Sequence, residues 1–355
     1  MMMKRSHIGA VLALIVLVSG GCASERTTEL SQPDVGSEVE VSGSSPESEE
    51  YAVEEEAEPD TAAIAGRLVG KITPPVEKFL MAFHSCMVGS PDCNNPAQHE
   101  VQLAQSANGI TWTVVEGWQA YPGSVPDVLR RDDVLYVIST SGLRRIDMVS
   151  GDVYEDRVEL VGSDLFGFVD PSLALLPTGE LTLFFLPGQP GGDPASCGTQ
   201  PSCTREIRSA LEIPQSQGGQ FAVNPVAHVS VTIDQSCRGG DCFFSDPDIF
   251  FNGKSWVLYI SRGASTDALI SKDINGPFDY ASKVSDNSGG VLAGIWDPER
   301  NTVLTYVSNG QKGTILNAAS VDGLSMLSSF SEVLNGAMLP FESGLVGSPG
   351  LAINE

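Results

Sequence analysis

Val169 to Phe185 reads VDPSLALLPTGELTLFF. An aspartate and a proline precede a short apolar strand, Pro-Thr-Gly makes a polar turn, and a second strand of branched and aromatic residues follows. That is a β-hairpin with a carboxylate at its entrance. VPDVLRRDDVLYVIST (125–140) and SDPDIFFNGKSWVLYIS (245–261) repeat the plan. Hairpins recurring at such intervals indicate blades or stacked repeats rather than one continuous sheet.

A second string follows each hairpin: VQLAQSANGITW (101–112), LRRIDMVSGDVY (143–154), IRSALEIPQSQGGQF (207–221), ALISKDINGPF (268–278) and ILNAASVDGLSM (315–326). Each is a strand, a glycine-bearing turn and the start of another strand. Together with hairpin second strands at 79–83, 134–138, 181–185, 256–260 and 303–307, the strings predict an all-β fold. It is a five-bladed β-propeller of four-stranded antiparallel blades over residues 61–355, and a β-sandwich is the structural alternative. GSPGLAI (347–353) repeats the inner-strand pattern with nothing after it, so it is expected to complete the first blade and close the ring.

The Asp/Pro entrances, with SANGITW and SVDGLSM as degenerate Asp-box turns, resemble the five-bladed glycosidase-like propellers: arabinanases, xylosidases and fructosidases, and more distantly sialidases. The resemblance covers about Lys78 to Ile353. It implies that Asn108 and Asp322 are structural and that entrance aspartates act on a glycan. One such aspartate would be base or nucleophile and another would tune a glutamate acid. Asp170, Asp246 and Asp127 are the candidate catalytic residues on this reading, and Asp248, His84 and Arg262, at the same end of the blades, the candidate substrate contacts. No glutamate sits at an entrance, because Glu206 and Glu212 fall in or after a third strand and Glu180 lies in a hairpin turn. Catalysis therefore stays open. Aspartate and proline before a strand also make good turn chemistry, the carboxylate capping local N–H groups. Arg144 and Arg145 read as solvated charge, and His99 and His228 as isolated.

Lys4 and Arg5 precede an apolar run from Ile8 to Val18, then Ser19-Gly20-Gly21-Cys22. The run is too short to span a bilayer, so residues 1–21 read as an export signal, and the small residues before Cys22 resemble a bacterial lipobox. That resemblance implies a lipid on the Cys22 sulfur and a place at the outer membrane or cell surface. Glu25 to Asp60 holds 13 acidic residues against one basic residue, too polar to bury a core, so 22–60 is expected to be a disordered acidic tether. The net charge of −25 argues against nucleic acid as a partner, and no cofactor or metal motif is found. The other six cysteines form close pairs, expected to bridge as Cys86/Cys93, Cys197/Cys203 and Cys237/Cys242 within loops of the entrance face. Stapled loops gathered on one end of a scaffold are where binding concentrates. The chain thus reads as a tethered glycosidase-like propeller that binds or hydrolyses an oligosaccharide or polysaccharide. The alternative is a non-catalytic surface lipoprotein holding a protein or polymer in those loops.

Overall fold

The computed structural model describes residues 66–86, 89–90, 92–188, 202–234, 245–286 and 288–355. The strands begin with β1 (Arg67–Lys71), β2 (Phe79–Cys86), β3 (His99–Ser106), β4 (Thr113–Val114) and β5 (Tyr121–Pro122). Next come β6 (Asp127–Arg131), β7 (Val134–Ser139), β8 (Gly142–Asp147) and β9 (Asp152–Asp156). β10 (Glu159–Val161), β11 (Phe168–Leu175), β12 (Leu181–Pro187), β13 (Ser202–Glu212), β14 (Gln220–Val223) and β15 (Val229–Asp234) follow. β16 (Ser245–Phe251), β17 (Trp256–Ser261), β18 (Thr266–Ser271) and β19 (Asp279–Ser285) make the next run. The last is β20 (Gly290–Asp297), β21 (Thr302–Asn309), β22 (Thr314–Ser320), β23 (Ser331–Asn335) and β24 (Val346–Ile353).

These strands form five sheets, read from the inside out as β24-β2-β3-β4, β6-β7-β8-β9-β1, β11-β12-β13-β14-β10, β16-β17-β18-β19 and β20-β21-β22-β23. The inner strands touch in a closed circuit, β6 to β11 to β16 to β20 to β24 and back to β6. The chain is a five-bladed β-propeller. Its last strand closes the ring as expected, pairing antiparallel with β2 from Phe79↔Ile353 to Ser85↔Val346. Closure hides the inner sheet edge that β2 would otherwise expose.

Strand alternation builds the core. Along β2, Phe79, Met81 and Phe83 pack toward Leu304 and Tyr306 of blade five, whereas Leu80 and Ala82 pack toward Val128 and Val137 of blade two. Each blade is apolar on both faces because each face meets a neighbour, which gives five apolar layers, one per interface. Each fully buried large side chain contributes about 1.5–3 kcal/mol.

The Asp-box turns lock the blades from the far end. Asn108 Oδ1 accepts from the N–H groups of Ile110 and Thr111, and Ser106 Oγ accepts from Gly109 N–H. The Tyr306 hydroxyl of blade five donates to Gly109 O, and Tyr259 of blade four does the same to Gly323 O.

Three blades exceed four strands. β5 pairs with β3 in blade one, β1 adds to β9 in blade two, and blade three gains β10 and β15, its β13 being 11 residues long because Ser202–Ile207 pairs with β15 beyond the blade body. That extension stands at the entrance end, where β12 finishes and the inner strands begin.

Candidate functional site

Five non-glycine residues take the left-handed conformation at equivalent places: Val125, Asp170, Asp246, Val291 and Ser348, with φ of 46, 50, 48, 50 and 49°. A side chain there is strained, most of all for the β-branched valines, so the surrounding structure must hold the ring in place. The inner-strand pairing breaks register at this level in blades one, three, four and five. Proline follows in four blades and Leu292 in the fifth. The third position is then Asp127, Ser172, Asp248, Ala293 and Gly350.

This ring sorts the candidate aspartates into two levels. Asp170 and Asp246 lie at the mouth, at the left-handed position. Asp127 and Asp248 lie two residues deeper, so Asp127 is the counterpart of Asp248 and Ser172 rather than of Asp170. Each deeper group hydrogen-bonds the next blade. Leu173 N–H donates to Asp127 Oδ2 at 2.6 Å, Ile249 N–H to Ser172 Oγ at 3.1 Å, and Gly294 N–H to Asp248 Oδ2 at 2.9 Å.

A matching set of bonds runs around the mouth. Val291 N–H donates to Ser261 Oγ at 3.3 Å and Ser348 N–H to Ser308 Oγ at 2.5 Å, the serines standing last and next to last in the second strand of the preceding blade. In blade three the equivalent residue is Leu186, which has no hydroxyl. Asp170 Oδ2 takes over and accepts the Asp246 N–H at 3.3 Å. The Asp170 carboxylate therefore caps a strand, and the same contact brings the two mouth aspartates together. Ser245 Oγ donates to Asp246 Oδ2. Arg205, on the β13 extension, is buried, and its charge acts on Asp246.

Burial pushes Asp246 up to about 6, against the Ser245 hydroxyl and the Arg205 charge, which lower it. Asp127 is pushed up to about 7 by burial, although the N–H groups of Leu173, Val128 and Leu351 and the Ser172 hydroxyl oppose this. Asp248 is raised well above the usual carboxylate range by burial and then by the neighbouring Asp127 charge. The mouth thus holds a carboxylic acid with a proton available in mildly acidic solution, beside a second carboxyl and a guanidinium. Phe166, four residues before Asp170 in the segment that enters β11, is 70 % exposed to solvent.

No family model and no curated protein matches this sequence. Among solved structures the chain is similar to a thermostable family-43 glycoside hydrolase, at 11% identity, covering 74% of this chain and 94% of that one with a TM-score of 0.48. It is also similar to a family-43 enzyme from Xanthomonas citri complexed with xylose, at 16% identity over 76% of this chain and 93% of that one, with a TM-score of 0.46. An endo-1,4-β-xylanase from Bacteroides thetaiotaomicron gives 11% identity, 76% and 100% coverage and a TM-score of 0.46. The site rests on this chain's own residues.

The other predicted residues divide. His84 is buried with its ring stacked on His99 at 3.9 Å, and His99 bonds Ser124 Oγ and the Cys93 carbonyl, so His99 is not the isolated residue the sequence implied. Burial, then the His99 charge, holds His84 well below the usual imidazole range. Arg262 pairs through Nε with Asp267 Oδ2 at 3.0 Å beside its own hairpin turn. Arg144 and Arg145 are not solvated surface charge. Arg144 lies over the Tyr121 ring at 4.0 Å, and Arg145 pairs with buried Asp156. Glu212 is buried at the far end, accepting from Arg131 and from the N–H groups of Leu181 and Gly218.

Cys86 and Cys93 form the expected disulfide at the end of β2. Cys203 is disulfide-bonded too, whereas Cys22, Cys197, Cys237 and Cys242 lie outside the described residues.

Arg205 and Phe166 escaped the sequence reading. Arg205 had a signal available: in SCTREIRSALE it stands two residues before buried Ile207, on the strand face turned toward blade four.

Proposed function

We propose that the channel mouth binds a glycan and that lipid on Cys22 holds the propeller at a bacterial membrane surface. The observation that carries the glycan reading is the meeting of Asp170 and Asp246, from adjacent blades, beside Arg205. A sugar presents several hydroxyls to be paired at once and a flat C–H face. Two carboxyls accept from the hydroxyls, the guanidinium donates to ring and hydroxyl oxygens, and the Phe166 ring covers the apolar face.

Hydrolysis is a second reading, favoured by the proton that Asp246 keeps up to about 6. A glycosidase needs one carboxylic acid to protonate the leaving oxygen and one carboxylate across the bond. Asp246 would be the acid and Asp170 the carboxylate.

The test is a panel of plant, fungal and bacterial oligosaccharides offered to the full chain, with binding and released reducing ends both measured. Binding of at least one glycan is expected, weakened tenfold or more by Phe166→Ala or Asp246→Asn. Turnover, where present, should fall as pH rises through about 6 and disappear in Asp246→Asn. No binding at millimolar glycan, or binding indifferent to both substitutions, overturns the reading.

A further inference from the structure

We propose that the opposite end of the channel is a second binding site, for a small organic cation with an apolar body such as an arylammonium. Below the aspartate level the inner strands open into a cavity of about 280 Å³. Phe250, Phe251, Trp256, Ile295, Trp296 and Ile353 wall it, and Asp127 and Asp248 form its ceiling. Above them, among Pro126, Pro171, Pro247 and Pro349, the space narrows to about 10 Å³, room for one water at most. The cavity is therefore a dead end reached from the lower face. Its rim stays apolar and wet, with Phe251 45 % and Leu175 38 % exposed.

The polar group at the ceiling decides what fits. Asp248 is more than nine-tenths buried. One of its oxygens accepts the Gly294 N–H, and the other makes no hydrogen bond among the described residues. That oxygen opens on the cavity, where a donor on the ligand can take the place of water. Asp127, by contrast, is satisfied by neighbouring N–H groups and the Ser172 hydroxyl. Arg130 also lines the cavity, but its guanidinium is turned to Asn354 Oδ1, the Asp132 carbonyl and, at 3.9 Å, Asp133.

An ammonium group complements this arrangement twice: it donates to Asp248, displacing to solvent the proton that burial keeps on that carboxyl, and its charge is favoured by the surrounding indole and phenyl rings. A neutral apolar molecule fills the walls and leaves the oxygen unmet, and an anion is repelled. The volume holds the equivalent of about nine waters, so the ligand is one of about that many heavy atoms.

The test titrates the full chain with benzylammonium chloride, and in parallel with benzyl alcohol and sodium benzoate, following tryptophan emission from Trp256 and Trp296. Saturable binding of benzylammonium is expected, at least tenfold tighter than benzyl alcohol, with no binding of benzoate. Asp248→Asn keeps an oxygen for Gly294 N–H and should erase the preference for the cation. Phe251→Ala, on the open rim, should weaken binding about threefold while leaving the ceiling intact. Equal affinity for ammonium and alcohol, no saturation by benzylammonium, or indifference to both substitutions overturns the proposal.

Discussion

Replacing Asp248 by asparagine should take about 1.4 kcal/mol per pH unit off the fall of stability with rising pH in the mildly acidic range. Burial raises both Asp127, to about 7, and Asp248, well above the usual carboxylate range, whereas in the unfolded chain each titrates near 4. The folded state therefore holds two protons that the unfolded state has released between about pH 4 and pH 7. Stability tied to a raised carboxyl is fully present below the unfolded value and is lost as pH rises through the folded one. Each retained proton makes stability fall by about 1.4 kcal/mol per pH unit. Over two units in this window the wild-type chain should lose on the order of 5 kcal/mol from the pair and Asp248→Asn about half of that. Asp246, raised to about 6, and the general repulsion of an acidic chain act on both proteins and cancel in the comparison. Guanidinium unfolding at pH 4.5, 5.5 and 6.5, at fixed ionic strength with disulfides intact, measures both slopes. The variant should also be the more stable protein at pH 8, because it has one fewer buried carboxylate to ionise. Equal slopes, or a variant weaker than wild type at pH 8, would refute the account of a proton held at the channel floor.

Gly350→Ala should cost about 3 kcal/mol, because the added Cβ would stand 2.5 Å from Asp127 Cα and 2.7 Å from the Pro126 carbonyl at the closing interface. Gly310→Ala, with nothing within 4 Å, is the control and should stay within about 0.5 kcal/mol in the same unfolding assay. Cys22→Ser should move the protein out of the membrane fraction and abolish acyl labelling without changing its melting temperature; unchanged retention in the membrane would count against the anchor.

Strand alternation, glycine turns and the repeated hairpins were enough to read five blades and the closing role of residues 347–353 from the sequence. Those features depend on local chemistry: period-two apolar faces must be covered on both sides, and an unpaired inner edge must be closed. The entrance end of the blades was equally legible, since antiparallel order fixes where each strand starts. Depth along an inner strand was not. Asp127 and Asp170 both sit beside a proline, and a shift of two residues leaves the alternation unchanged; the order differs, proline before Asp127 and after Asp170, but only the structure shows that this order marks depth. The separation of mouth from floor comes from the left-handed residue in each blade and from which N–H of the next blade each carboxyl accepts. Arg144, Arg145 and Arg205 carry the same lesson. A charged residue on an exposed-looking strand is solvated or buried according to what another blade or extension lays over it, and only the tertiary structure puts Tyr121 beneath Arg144, Asp156 beside Arg145 and Asp246 within the field of Arg205.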